Sequence, residues 1–149
     1  MLFRHKLVPT KNPVISLGGR WVRPRMLVQV TLVGPAGAQA DQAMLDSGAD
    51  DTVFPEQVAH KLGIDLQQAP VGEAAGVTGT PLPVRYAQAT LRLTDGKEFR
   101  TWPAWIGFTP IALRQPLLGF AGVLQYFTTT IQGDMETFEM TINRLYPGT

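Results

Sequence analysis

Fifteen glycines and twelve prolines are spread along this 149-residue chain, and they limit it to short elements of regular structure. Glycine favours turns that need a positive φ, and proline removes a backbone donor and interrupts helices. The apolar fraction of 44% and the charged fraction of 17% are ordinary for a globular protein. We therefore expect a single turn-rich, mostly β domain in which many turns join short strands.

Runs of β-branched and alternating apolar residues predict successive strands, with an Asp-Gly hairpin turn at 95–96. The predicted strands are 26–33, 40–45, 84–93, 98–105, 106–118 with irregular breaks at two prolines, 128–131 and 137–142. Short helices are predicted over 55–62 and 120–127. In the first of them Val58 and Leu62 share an apolar face, and Gly63 is the expected C-cap.

The basic residues are concentrated at the start of the chain. The first 40 residues contain six Lys or Arg and no acid, which leaves seven basic and twelve acidic residues, a balance of −5, in the remainder. A basic segment of this kind can bind nucleic acid or an anionic membrane. No nucleic-acid motif or aromatic-interleaved basic patch accompanies it. We therefore expect a solvated, flexible basic arm over residues 1–20, a folded domain over 21–149, and no nucleic-acid partner.

The absence of cysteine excludes disulfides, thiolate metal sites and a cysteine nucleophile. The first 17 residues lack the continuous apolar core of a signal peptide, and no stretch approaches the ~20 apolar residues of a membrane span. We expect a cytoplasmic protein with no membrane span. Because His5 and His60 have no metal-ligand spacing, we also expect neither a metal nor another cofactor.

The most informative local feature is Asp46, which follows three apolar residues at the end of a predicted strand. Ser47 and Gly48 then turn the chain, and Asp50 and Asp51 follow. A carboxylate at the mouth of an apolar strand is a candidate for general acid–base chemistry. Asp-Ser-Gly is also common in ordinary turns, since Asp and Ser bond to nearby backbone and Gly supplies a positive φ. One carboxylate seldom suffices for catalysis, and no equal partner appears elsewhere in the chain.

The segment Leu-Asp-Ser-Gly-Ala-Asp-Asp-Thr-Val at 45–53 closely resembles the catalytic loop of retropepsins, the dimeric aspartic proteases of retroviruses and their cellular and bacterial relatives. The resemblance extends over about residues 21–125, with further matches in the same order. These matches are Trp21-Val22-Arg23-Pro24, Gly76-Val77-Thr78-Gly79, Val84-Arg85-Tyr86, Ile106-Gly107-Phe108-Thr109-Pro110-Ile111 and Leu117-Leu118-Gly119. Phe120-Ala121 stands where retroviral enzymes usually have Arg and a polar residue, so the charge network around Asp50 should differ.

The resemblance implies a closed or semi-open β-barrel of the retropepsin type with one or two short helices, active as a two-fold homodimer. Asp46 would be catalytic and would face Asp46 of the second copy, with Ser47 bonding across the dimer beneath the pair. Gly48 would offer backbone to an extended peptide, and Asp50 and Asp51 would bind substrate main chain. The remaining candidate substrate-binding residues are the flap residues Gly76, Val77, Thr78 and Gly79 and the pocket residues Val53, Ile106, Thr109, Ile111 and Leu118.

The function that the resemblance implies is that of an aspartic endopeptidase. Water activated between the two Asp carboxylates, one from each subunit, would cleave peptide bonds in a peptide or protein substrate. The alternative is a catalytically inactive dimeric module with the same fold that binds or scaffolds peptides. The final hairpin, 128–142, is expected either to contribute to the dimer interface or to complete the monomer sheet as a surface hairpin.

Overall fold

The structure, a computed structural model, describes residues 1–75 and 80–149, and within these ranges it is mostly β. The strands are β1 Leu2–Arg4, β2 Lys6–Val14, β3 Arg20–Arg25, β4 Leu27–Gly34, β5 Gly37–Leu45, β6 Val53–Pro55, β7 Val71–Ala75, β8 Pro81–Thr94, β9 Phe99–Thr109, β10 Leu117–Leu118, β11 Phe127–Gln132 and β12 Thr137–Ile142. The helices in these ranges are α1, Glu56–Lys61, and two 3-10 helices, Ile15–Leu17 and Leu124–Tyr126. The predicted fold class is confirmed.

Six strands close into a barrel in the order β4-β5-β10-β6-β9-β8, because β8 pairs back onto β4. β5 with β10 and β6 with β9 are parallel pairs, whereas the β4–β5 and β8–β9 hairpins are antiparallel. Closure leaves none of these six strands as a free edge of an open sheet. Residues 81–85 of β8 pair with β7 while residues 90–94 pair with β4, so β8 leaves the barrel at its N-terminal end.

The barrel interior is filled by the apolar residues that alternate along the strands. On β4, Val28, Val30 and Leu32 are buried between exposed or half-buried neighbours, as the period of two requires. The largest buried side chain, Trp102, donates its indole N–H to the carbonyl oxygen of Gly122 at 2.8 Å. This bond satisfies the one polar atom that the tryptophan brings into the core.

Helix α1 covers one side of the barrel by burying Val58 and Ala59. It ends at Lys61 with Leu62 as its C-cap, one residue before the predicted Gly63. Gly63 has a φ of +67°, and its N–H donates to the carbonyl oxygen of His60 at 3.2 Å. A residue with a Cβ is strained at this φ, and the added atom would lie 3.0 Å from the side chain of Ala36. Gly63 therefore turns the chain out of the helix, although the C-cap is Leu62.

The N-terminal segment is folded, which corrects the expectation of a flexible arm over residues 1–20. Strand β1 pairs with β12, and β2 pairs with β3. Phe3 is buried and stacks on Phe138 with ring centroids 5.1 Å apart, and Met1 is buried beside them. Apolar contact with a distant strand therefore orders a segment whose own sequence, rich in Lys, Arg and Pro, does not indicate a strand.

The predicted final hairpin is present as β11 and β12, and β1 joins it in a three-stranded sheet of order β1-β12-β11. Phe138 and Met140 of β12 are fully buried in the core. The hairpin therefore packs on the core in a separate sheet and does not extend the barrel sheet, which corrects the expectation of a surface hairpin that completes the monomer sheet. Its contribution to a dimer interface remains a prediction. None of the helices described in the structure has the length and apolar character needed to cross a membrane.

Asp95 ties the β8–β9 turn to the N-terminal strand. Its Oδ1 accepts the N–H groups of Lys97 at 2.9 Å and Glu98 at 3.0 Å, and its Oδ2 accepts the N–H of Leu2 at 2.9 Å. Burial alone would raise the pKa of this carboxyl, but the three donated N–H groups lower it from 3.8 to about 2. The ionised form therefore stabilises the fold above pH 4, and this contribution is lost as the pH falls towards 2.

Replacing Asp95 with Asn should lower the free energy of unfolding at pH 7 by about 0.5–1 kcal/mol, a value reduced for solvent screening because Asp95 is only half-buried. The difference from wild type should shrink steadily between pH 4 and pH 2, where Asp95 itself becomes neutral. Urea unfolding across this pH range measures both quantities. The exposed Asp134→Asn is the control, and a loss that is the same at every pH would contradict the role assigned to the charge.

Candidate active site

Asp46 lies where two parallel strands of the barrel end side by side. Leu45 of β5 is in register with Leu118 of β10, and the N–H of Asp46 donates to the carbonyl oxygen of Leu118 at 3.0 Å. Leu45 and Leu118, which meet at this junction, are buried, whereas the Asp46 side chain is only half-buried. The strands therefore deliver the carboxylate to the surface of the barrel and hold its backbone on a rigid base.

The Asp-Ser-Gly segment forms a tight turn that orients the carboxylate. The N–H of Ala49 donates to the carbonyl oxygen of Asp46 at 3.2 Å, and the N–H of Gly48 donates to Asp46 Oδ1 at 2.9 Å. Among the described residues, Oδ2 has no donor. Ser47 and Gly48 are exposed on the outside of the turn. One carboxylate oxygen is thus held by the chain while the other is free to contact a second group.

The residues after the turn are fixed by pairing with the segment that follows β10. Phe120 donates its N–H to the carbonyl oxygen of Ala49 at 2.9 Å, and Ala121 donates to that of Asp50 at 2.8 Å. The N–H of Thr52 donates in return to the carbonyl oxygen of Ala121 at 3.1 Å. These backbone bonds continue the β5–β10 pairing beyond the strand ends, so the whole loop from 46 to 52 is anchored.

Thr52 and Gly119 complete this hydrogen-bond network on its buried side. The buried Thr52 hydroxyl donates to the carbonyl oxygen of Ala121 at 2.8 Å and accepts the N–H of Gly119 at 3.2 Å. A Cβ on Gly119 would lie 2.2 Å from the carbonyl oxygen of Asp51 and 2.7 Å from that of Ala49. Only glycine fits here, which gives the Leu-Leu-Gly motif a physical reason.

The two acids that follow the turn have different environments. Asp50 is exposed, whereas Asp51 is half-buried and its Oδ2 accepts the phenol of Tyr86 at 2.8 Å. Burial of the ring and, next, this hydrogen bond raise the pKa of Tyr86 from 10.0 to about 12. No role for Tyr86 was predicted from the sequence. Its place in the Val-Arg-Tyr match was the one available signal.

The predicted pocket residues divide into two groups. Ile111 is exposed and can line a surface groove. Val53, Ile106, Thr109 and Leu118 are buried. Ile106 and Leu118 belong to the apolar core, whereas Thr109 lies on the opposite face of β9 from Ile106 and Val53 is in register with Gly107. That these four residues contact substrate remains a prediction. The predicted flap residues Gly76, Val77, Thr78 and Gly79 lie outside the described residues, so their role remains a prediction.

In the part of the chain that the structure describes, no cluster of three or more His, Cys, Asp or Glu side chains is arranged to hold a metal ion. The chemistry that the site itself offers is that of a carboxylate with one held and one free oxygen, at an accessible strand end. Such a group can take or give a proton. It needs a second acid or base to do both in one reaction.

Comparison with known proteins gives one family match. A family model described as aspartyl protease matches residues 28–121, which include the whole Asp46 loop and the Leu-Leu-Gly segment. The resemblance drawn from the sequence is thereby confirmed at the level of the family. No curated protein sequence matches the chain significantly.

Three solved structures can be aligned with this chain at low identity. A retropepsin-like aspartic protease from Rickettsia conorii aligns with 94% of this chain and 88% of its own, at 19% identity and a TM-score of 0.48. The retroviral protease-like domain of Ddi1 from Leishmania major aligns with 83% and 94%, at 11% identity and a TM-score of 0.44. EIAV protease complexed with the inhibitor HBY-793 aligns with 64% and 81%, at 17% identity and a TM-score of 0.40. The family assignment rests on the family model rather than on these alignments.

Gly119→Ala should destabilise the protein by about 3 kcal/mol, because the added methyl group meets backbone atoms that cannot move without breaking the loop pairing. Urea unfolding measures the change. Gly133→Ala is the matched control, since nothing lies within 4 Å of a Cβ built there. It should change the free energy of unfolding by less than about 0.5 kcal/mol. Equal effects of the two substitutions would contradict the close approach at Gly119.

Proposed function

Because the chain belongs to the aspartyl protease family, we propose that it is an endopeptidase that cleaves peptide bonds in extended polypeptide segments. The observation that carries the proposal is the Asp46 carboxylate, which projects from a strand end with Oδ1 bound to Gly48 and Oδ2 free among the described residues. The surrounding network of Thr52 and Gly119 fixes the loop without using the carboxylate itself. This is the preorganised acid that the chemistry requires.

The proposal includes a homodimer, because the sequence contains the Asp-Ser-Gly motif once. An isologous two-fold interface brings the same residue from both copies to the axis. Asp46 of one subunit would then face Asp46 of the other and supply the missing second carboxyl. The exposure of Ser47 and Gly48, next to the half-buried Asp46, leaves this turn accessible to a second copy and to a peptide.

The mechanism follows from bringing two carboxyls into contact. Like charges at short range cannot both remain ionised cheaply, so the pair shares one proton and titrates as a unit. The ionised carboxylate takes a proton from a water between them, and this water attacks the peptide carbonyl carbon. The protonated carboxyl donates to the carbonyl oxygen, and a proton then passes to the leaving amine as the C–N bond breaks. The reaction needs no covalent intermediate with the protein.

Other residues would bind the peptide on either side of the reacting bond. The backbone of Gly48 and the carboxylates of Asp50 and Asp51 offer polar contacts to substrate main chain, and Ile111 offers an exposed apolar one. The flap residues 76–79 are proposed to close over the peptide and exclude water. These contacts favour an extended peptide. In an extended peptide the main chain can bind the acids while its side chains contact the apolar surface.

Asp46→Asn should abolish cleavage of fluorescein-labelled casein across pH 4–7, with a loss of more than about 100-fold, since an amide can neither take nor donate the proton. Asp134→Asn, which changes an exposed Asp in the β11–β12 turn, is the matched control and should retain wild-type activity. Undiminished activity of Asp46→Asn would overturn the mechanism. Absence of cleavage by a wild-type protein confirmed to be a dimer would favour the peptide-binding module.

Mixing wild type with Asp46→Asn tests whether both carboxyls of a dimer are needed. After equal amounts are unfolded together and refolded, random pairing leaves about one quarter of the dimers with two Asp46 residues. Activity relative to wild type at the same total concentration should therefore fall to about one quarter. Sedimentation analysis of the refolded sample verifies that it is dimeric. A fall to about one half would mean that each subunit works alone.

A further inference from the structure

We propose that Tyr86 is a positioning residue that holds the Asp51 carboxylate in the orientation in which it receives the substrate main chain. The inference rests on the proposed function and adds a residue that acts through Asp51 rather than on the peptide. Tyr86 lies on β8, 35 positions along the chain from Asp51, and its phenol donates to Asp51 Oδ2 at 2.8 Å. A bond between such distant positions is a product of the barrel and not of the local turn.

The ring of Tyr86 occupies a slot between two glycines on the neighbouring strands. A Cβ on Gly72 of β7 would lie 2.7 Å from the ring carbon Cε2, and one on Gly107 of β9 would lie 3.5 Å from Cε1. The backbone is held as well, since the N–H of Tyr86 donates to the carbonyl oxygen of Pro70 at 2.9 Å. The phenol is thus aimed by packing on both sides of its ring and has little freedom to swing away.

Few other groups near Asp51 can donate a hydrogen bond to its carboxylate. Its backbone bridges to Ala121, and its carbonyl lies against Gly119. The residues on this side, Gly119, Phe120 and Ala121, have no polar side chain. Within residues 1–75 and 80–149, the Tyr86 hydroxyl is therefore the side-chain donor that binds the Asp51 carboxylate. A neutral donor leaves Asp51 its negative charge, which a cationic partner would have offset.

The hydrogen bond from Tyr86 gives the two carboxylate oxygens of Asp51 different roles. Oδ2 is occupied by the phenol, so Oδ1 remains for a peptide N–H, and its direction is set by the fixed plane of the carboxylate. The same bond, together with burial, raises the pKa of Tyr86 to about 12. The phenol consequently stays protonated and able to donate throughout the pH range in which an aspartic protease would work.

Tyr86→Phe tests the inference, because it removes the hydroxyl and keeps the ring in its slot. With fluorescein-labelled casein as substrate, we expect KM to rise about fivefold while kcat changes less than about twofold, as for loss of one hydrogen bond of about 1 kcal/mol. Tyr126→Phe is the matched control, since Tyr126 is half-buried and its hydroxyl makes no hydrogen bond to the described residues. It should leave both constants unchanged.

A double-mutant cycle with Asp51→Asn separates positioning from a general structural effect. If Tyr86 acts through Asp51, Tyr86→Phe should add nothing to KM in the Asp51→Asn background. A merely structural role would instead multiply the two effects and would lower kcat through the folded fraction, which urea unfolding of each variant reports. Multiplied effects, or an unchanged KM in Tyr86→Phe, would overturn the inference.

The same cycle in an Asp46→Asn background measures the affinity for labelled casein by fluorescence anisotropy without turnover. Weaker binding by Tyr86→Phe there, together with the KM effect, supports positioning for substrate binding. If wild type cleaves casein and Tyr86→Phe changes neither KM nor affinity, the inference fails while the proposed function stands. If casein is neither cleaved nor bound, both fail together.

Discussion

The close approach of Gly119 to the loop after Asp46 is the contact on which the site depends. Only a residue without a Cβ lets the chain leaving β10 lie against the carbonyl groups of Ala49 and Asp51. That approach permits the backbone bonds that fix the loop and brings the Gly119 N–H to the hydroxyl of Thr52. The short β10, placed between β5 and β6, thus completes the barrel and anchors the candidate catalytic turn at once.

The same architecture bears on the proposal that the chain supplies half of an active site. The barrel presents Asp46 at its surface with Oδ1 bound to Gly48 and with Oδ2 unbound among the described residues, and the hydrogen bonds of Thr52 hold the surrounding loop. A carboxylate held in this way needs a second acid or base if the site is to take and give a proton in one reaction. The single Asp-Ser-Gly motif in a chain of the aspartyl protease family is the reason for proposing a symmetric pair of subunits rather than a single catalytic unit.

Much of the fold could be predicted from local pattern. Alternation of apolar residues predicted β4 and the β8–β9 and β11–β12 hairpins, and Gly63 lies one residue past the C-cap of α1. The N-terminal strands were missed because their basic residues and prolines argue against regular structure, while their order comes from Phe3 packing on Phe138. The burial of four of the five predicted pocket residues could not be foreseen for a similar reason, since a sequence motif does not say which face of a strand turns inward.

The sequence by itself determined the chemistry that the chain offers: an acid after an apolar strand, a turn at Ser47 and Gly48, and a family resemblance that the aspartyl protease model confirms. The tertiary structure alone decided which side chains are buried and which group binds the neighbouring acid, Asp51. It buried Val53, Ile106, Thr109 and Leu118 and brought Tyr86 to Asp51. The physical reason is that turn and strand preferences act over a few residues, whereas the partner of a side chain is set by strand register across the closed barrel.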